Sequence, residues 1–138
     1  MTGECYINGK DAYSTWGIVL TDSALTALMT PAPLKPFVEN KARSQDGKAV
    51  SIKNPKVDER EVQLTFSIVA KSKSDFLTKY NSFCTELKTG SLEIKTYVQP
   101  SVLYRLVYGS CSQFSMFNGK LGKFVLRVTE PNPNNRAV

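Results

Sequence analysis

Apolar positions recur along this chain with two different periods, and the change of period marks its elements. From Ser72 to Leu87 the residues Phe76, Leu77, Tyr80, Phe83, Cys84 and Leu87 share one face of a 3.6-residue repeat, which predicts a long amphipathic helix. Before it, Val62, Leu64, Phe66 and Ile68 alternate with Glu61, Gln63, Thr65 and Ser67. After it, Leu92, Ile94 and Thr96 alternate with Glu93, Lys95 and Tyr97. Strict alternation predicts strands with one dry and one wet face, an arrangement more common in antiparallel than in parallel sheets.

The flanks extend the pattern. Residues 4 to 8 read as a short strand ending in an Asn8-Gly9 hairpin turn, and Trp16 to Thr21 as a second strand. Asp22 or Ser23 is placed to cap a short helical turn carrying Leu25, Leu28 and Met29. Pro31, Pro33 and Pro36 then force extended chain. Val38 to Val50 is polar and contains the turn signal Asp46-Gly47, which predicts a long exposed hairpin arm returning through Ala49 to Lys53. Ser72 and Ser74 are both suitable N-caps for the long helix, and Gly90 stands where a left-handed C-cap belongs. Further strands are expected at Leu103 to Tyr108, Cys111 to Phe117 and Lys123 to Thr129, the last two joined by the loop Asn118 to Gly122. Residues 131–138 show no core pattern and are expected to form an exposed tail.

The sum is a mainly β (α+β) domain over 1–138, a two-sheet β-sandwich or split barrel with one long helix and residues 39–50 as a hairpin arm. A chain of 138 residues with 41% hydrophobic content is one domain with its own core. No stretch approaches the roughly 20 apolar residues of a bilayer span, so no membrane partner is expected. The first ten residues carry no signal-peptide pattern, and synthesis inside the cell is expected.

Candidate chemistry is thin. Histidine is absent, which removes the commonest general base and metal ligand. The three cysteines, Cys5, Cys84 and Cys111, are too far apart for a CxxC metal site and odd in number for a disulfide framework. No carboxylates are spaced as an acid and base pair, and no glycine-rich phosphate loop occurs. Catalytic, cofactor and metal sites are therefore all expected to be absent. The net charge of +6 permits an acidic partner, but the lysines and arginines are dispersed along the chain. Tyr97, Tyr104 and Tyr108 with Arg105 could stack single-stranded nucleic acid; the competing reading makes Tyr104, Arg105 and Tyr108 core or subunit-interface residues. The arm itself, with Lys41, Arg43, Asp46, Gly47 and Lys48, suits a chain that reaches across a neighbour.

In order of features, the chain resembles the N-terminal domain of the distal tail protein (Dit) of long-tailed phages and, more broadly, the tail-tube fold. The resemblance rests on Tyr6 to Asp11 with Gly17 to Leu20, the Asp46-Gly47 tip, Arg60 to Ile68, and the helix ending Phe83 to Gly90. It continues through Leu92, Tyr104 to Tyr108 and the closing Gly122 to Val128. It implies a structural protein of the virion tail, made in the bacterial host cytoplasm. It further implies a ring, usually a hexamer, with the helix packed outside, partners among itself and other tail proteins, DNA only as cargo in the lumen, and Lys41 to Val50 as the inter-subunit arm. Two departures widen the reading to a small tail protein of tube or distal-tail type. The sequence ends at Val138 without a galectin-like C-terminal domain, and its basic balance does not suit a negative lumen. A nucleic-acid-binding β domain and a type VI secretion tube-like protein are the alternatives.

Overall fold

The chain begins with a strand, β1 (Cys5–Ile7), that turns back at once into β2 (Lys10–Asp11). Asn8 and Gly9 both take positive φ, as a tight two-residue hairpin turn requires. This is a computed structural model; it describes residues 2–35, 38–40, 49–51 and 56–138, with the backbone alone for 38–40 and 49–51.

Three helices follow the local chemistry. Asp11 accepts from the Ser14 amide and caps α1 (Ala12–Trp16), which stops at Gly17 in the left-handed region. A side chain there would run into the Val69 carbonyl oxygen. The expected strand from Trp16 to Thr21 is thus shortened to β3 (Ile18–Leu20), and Trp16 is the last residue of a helix. Thr21, rather than Asp22 or Ser23, caps α2 (Asp22–Met29) through its hydroxyl, which accepts from the Ala24 amide. Ser72 caps α3 (Lys73–Leu87) by accepting from the Asp75 amide. Lys88 is the C-cap of α3, and Gly90 lies two residues beyond it with φ of 84°.

The remaining strands are β4 (Val38–Asn40), β5 (Ala49–Ser51), β6 (Arg60–Val69), β7 (Ser91–Thr96), β8 (Gln99–Phe117) and β9 (Leu121–Glu130). They divide unequally between two sheets. One is a curled seven-stranded antiparallel sheet in the order β2-β1-β7-β8-β9-β6-β3; the other is the β4–β5 ribbon. The fold is mainly β with one long helix, as the hydrophobic pattern implied. β6 and β9 pair without a break from Arg60↔Glu130 to Val69↔Leu121. The two strands expected at Leu103–Tyr108 and Cys111–Phe117 are one strand, β8, bent by register shifts at Tyr108/Ser110 and Cys111/Gln113. A bulge absorbs an extra residue without ending the strand, so Gly109 reads as a break in sequence and is none in space.

The core lies between the dry face of this sheet and the helices. Val62, Leu64, Phe66 and Ile68 of β6 and Phe124, Leu126 and Val128 of β9 are buried there. α3 adds Phe76, Phe83 and Leu87, with Tyr80 and Cys84 partly covered. Fully burying each large apolar side chain stabilises the fold by about 1.5–3 kcal/mol. Leu77 departs from its expected place: it is 55% exposed and lines an open groove with Met116, Asn118 and Gly119. An aromatic file crosses from helix to sheet, with Tyr80 stacked on Phe114 at 5.3 Å and Phe114 tilted against Phe124 at 4.8 Å. Trp16 meets Phe83 edge-on at 5.7 Å and donates its indole N–H to Ser82 Oγ at 3.1 Å.

Candidate functional site

Three features of the described residues stand out from ordinary core and surface: a buried charge cluster, a strapped C-terminal segment and a long bare strand edge. The charge cluster arises because Arg60 and Glu130 sit on the dry face, in phase with Val62 and Val128, opposite each other at one end of the β6–β9 ladder. Arg60 Nε donates to Glu130 Oε1 at 2.9 Å. Arg60 Nη1 donates to the carbonyls of Ala27, Leu28 and Thr30, closing the C-terminal end of α2, whose last carbonyls have no helical partner. Arg136 completes the cluster, donating from Nε and Nη2 to the same carboxylate at 2.8 and 2.7 Å.

Both guanidiniums lie over the Tyr104 ring. Their carbons stand 5.7 Å (Arg60) and 4.9 Å (Arg136) from its ring centre, and its hydroxyl donates to Gln99 Oε1. Burial raises the Tyr104 pKa above the ordinary phenol value, against the opposing pull of Arg136 and Arg60. Hydrogen bonding to Glu130 raises that of Arg136. The cluster ties α2, β6, β8, β9 and the C-terminal segment into one unit. Replacement of Glu130 leaves the buried Arg60 guanidinium without its counter-charge, at a typical cost of about 3–5 kcal/mol.

The C-terminal segment is mostly exposed, yet it is held. The Leu103 amide donates to the Arg136 carbonyl at 2.8 Å, and Arg105 donates to the Asn135 and Ala137 carbonyls. Of the residues expected at an interface, Tyr104 is 1% exposed and is spent on the core. Arg105 is engaged by the C-terminal segment, and Tyr108 is half-buried against the core. The stacking platform of Tyr97, Tyr104, Tyr108 and Arg105 is not assembled, since Tyr104 faces the core and Tyr97 lies in the β7–β8 turn. The arm residues Lys41, Arg43, Asp46, Gly47 and Lys48 lie outside the described residues. The β4–β5 pairing at the base of that arm is described, with Val38↔Ser51 and Asn40↔Ala49.

One of the three thiols, Cys5, is quiet. Burial, with Asp11 and Glu4 nearby, pushes the Cys5 thiol up to about 12, so it stays protonated at neutral pH. Among the described residues no group of Cys, Asp and Glu is arranged to hold a metal ion, and no helix is long and apolar enough to cross a membrane.

The sequence reading missed the Arg60–Glu130–Arg136 cluster. A signal was present: Glu130 continues the dry alternation Phe124, Leu126, Val128, and Arg60 continues that of Val62 and Leu64. Opposite charges at two in-phase positions become a pair only once the register is known.

The arrangement of strands and helix can be matched to a solved structure. Over 94% of its length this chain superimposes on the Dit protein of SPP1, with a TM-score of 0.66 and 13% sequence identity. It has the fold of a phage distal tail protein. The chain spans about half of that protein, covering 50% of it. The crystal structure of SPP1 Dit is described as a paradigm of the hub adsorption apparatus in phages that infect Gram-positive bacteria. No family model matches the chain, and no curated protein matches it in sequence. The resemblance read from the order of strands, helix and turns is thereby borne out in the fold.

Proposed function

We propose that this protein is a structural component of a phage tail, of distal-tail or tube type, that assembles with copies of itself into a ring at or along the tail tube. The observation that carries this reading is the match to SPP1 Dit across 94% of the chain. The β4–β5 ribbon supports it, because its two strands pair with each other and are not part of the seven-stranded sheet. On this reading Lys41, Arg43, Asp46, Gly47 and Lys48 form the arm that reaches the next subunit, other tail proteins are the remaining partners, and DNA is cargo in the lumen. The protein then resides in the virion tail.

The test is the solution mass by light scattering after size exclusion, at low and at high protein concentration. A closed oligomer near six times 15.3 kDa, ring-shaped by electron microscopy, is the expected result. A strict monomer at every concentration would overturn self-assembly.

A further inference from the structure

α3 advances along β9 and therefore runs back along β8. The Phe76 ring fills the space that a side chain at Gly122 would need, Tyr80 stands 5.9 Å from Phe124, and Phe83 meets Phe124 at 5.6 Å. Tyr80 also stacks on Phe114 of β8. Each further turn of the helix thus passes from Phe114 toward Cys111 and Tyr108.

The two bulges determine which residues of β8 face that helix. In a regular strand residues two apart share a face. Here Tyr108, Cys111 and Phe114, spaced by three, stand opposite Val128, Leu126 and Phe124 of β9. Those partners are buried on the dry face, and directly opposed residues of an antiparallel pair point to the same side. Without the shifts at Tyr108/Ser110 and Cys111/Gln113, Cys111 would fall on the wet side.

The helix presents a second thiol to the same seam. Cys84 lies one turn beyond Tyr80 on one face of α3. A side-chain hydrogen bond with Cys84 raises the Tyr80 pKa, with Cys111 adding to the rise. That of Tyr108 is raised chiefly by burial and then by the nearby Cys111 and Cys84. One cysteine and one tyrosine from each element therefore converge. Cys84 is half-buried, whereas Cys111 is exposed and donates to the Gln113 carbonyl at 3.2 Å.

We propose that Cys84 and Cys111 are a modification site, a thiol pair that closes to an intramolecular disulfide with a small-molecule disulfide as the oxidant. The exposed Cys111, as thiolate, attacks one sulfur of the oxidant, forms a mixed disulfide and expels a small thiolate. Cys84, as thiolate, then attacks the Cys111 sulfur and expels the second. Two cysteine thiols are oxidised, two electrons reduce the small disulfide, and its two thiols leave with the two cysteine protons. Cys5, buried in β1, stays a free thiol. The odd count that argues against a disulfide framework leaves room for this one pair. Its bond ties the helix to the half of β8 that has no second neighbouring strand among the described residues.

The test is incubation of the folded full-length chain with oxidised glutathione, followed by alkylation, intact mass and peptide mapping. The expected product is lighter by two hydrogen atoms, contains a Cys84–Cys111 linked peptide, reverts with dithiothreitol, and melts at a higher temperature than the reduced protein. Cys84→Ser should stop the reaction at a glutathione adduct on Cys111, and Cys111→Ser should abolish the loss of two hydrogens. A wild-type product that ends as a glutathione adduct on Cys111 with Cys84 still alkylatable would overturn the pairing. So would oxidation that yields only a Cys111–Cys111 link between chains.

Discussion

The two halves of β8 belong to one strand and live under different physics. From Gln99 to Leu106 the strand pairs with β7 and not with β9, Val102 bridges to Ala137 of the C-terminal segment, and Tyr104 and Leu106 are buried. From Tyr108 to Phe117 it has one neighbour, two bulges near the start, and Met116 and Phe117 open to solvent. Composition does not separate them, since both halves are rich in β-formers. What accompanies the single paired strand does. In the first half the C-terminal segment bridges to Val102 and its Arg136 carbonyl takes the Leu103 amide. Beyond Tyr108 no second strand is present among the described residues, and the outward backbone groups are available to water or to another chain.

Mutations should separate the halves, and the largest effects belong to the first. Glu130→Ala removes the carboxylate shared by Arg60 and Arg136 beside Tyr104, and urea unfolding should show a loss of about 3–5 kcal/mol. A loss below about 1 kcal/mol would mean that the two arginines find other partners and that the cluster is not the tie described here. Leu106→Ala, also in the first half, should cost about 2–5 kcal/mol through the cavity it leaves. Ser72→Ala, which removes the cap of the helix packed over the second half, should cost about 1 kcal/mol. Phe117→Ser, in the second half, should change the stability of the isolated chain by no more than about 0.5 kcal/mol while lowering its tendency to associate. A larger loss would place Phe117 in the core and blur the contrast between the halves.

The smallest effect is one of pH. The Asp11 carboxylate is held below its ordinary pKa chiefly by the Ser14 amide, and that of Asp75 chiefly by the Lys71 amide. A depressed carboxylate contributes stability that is present above its unfolded value, near 3.9, and is lost as pH falls through the lower folded value. Thermal melts between pH 6 and pH 3 should therefore decline only below about pH 4. Asp11→Asn and Asp75→Asn together should flatten that decline.

Much of this architecture was legible in the residues, and what was not has definite reasons. The helix from Ser72 to Leu87 and the strands around Val62 to Ile68 and Phe124 to Val128 declare themselves because period and burial coincide over several turns or pleats. The hairpin between β8 and β9 follows from Asn118-Gly119, both at positive φ. α1 escaped notice because five residues show no periodicity, and its cap and stop, Asp11 and Gly17, also suit a turn. β8 read as two strands because a bulge and a loop look alike in one dimension. The ion cluster joins residues 60, 130 and 136, and only the register of β6 against β9 brings them together. Tyr104 reads in sequence as a core or subunit-interface residue; the structure buries it beside two arginines of its own chain.

The strap that lays Arg136 and Ala137 across Leu103 and Arg105 has a practical use. It brings Val138 beside Tyr6 and Lys95, at the end of β8 remote from Phe117. Eight residue steps of extended strand separate Val102 from Ser110, roughly 26 Å at the usual rise. A fluorophore attached at Val138 would ride on the opposite end of the strand from its uncharged edge, and could count subunits as they join without standing between them.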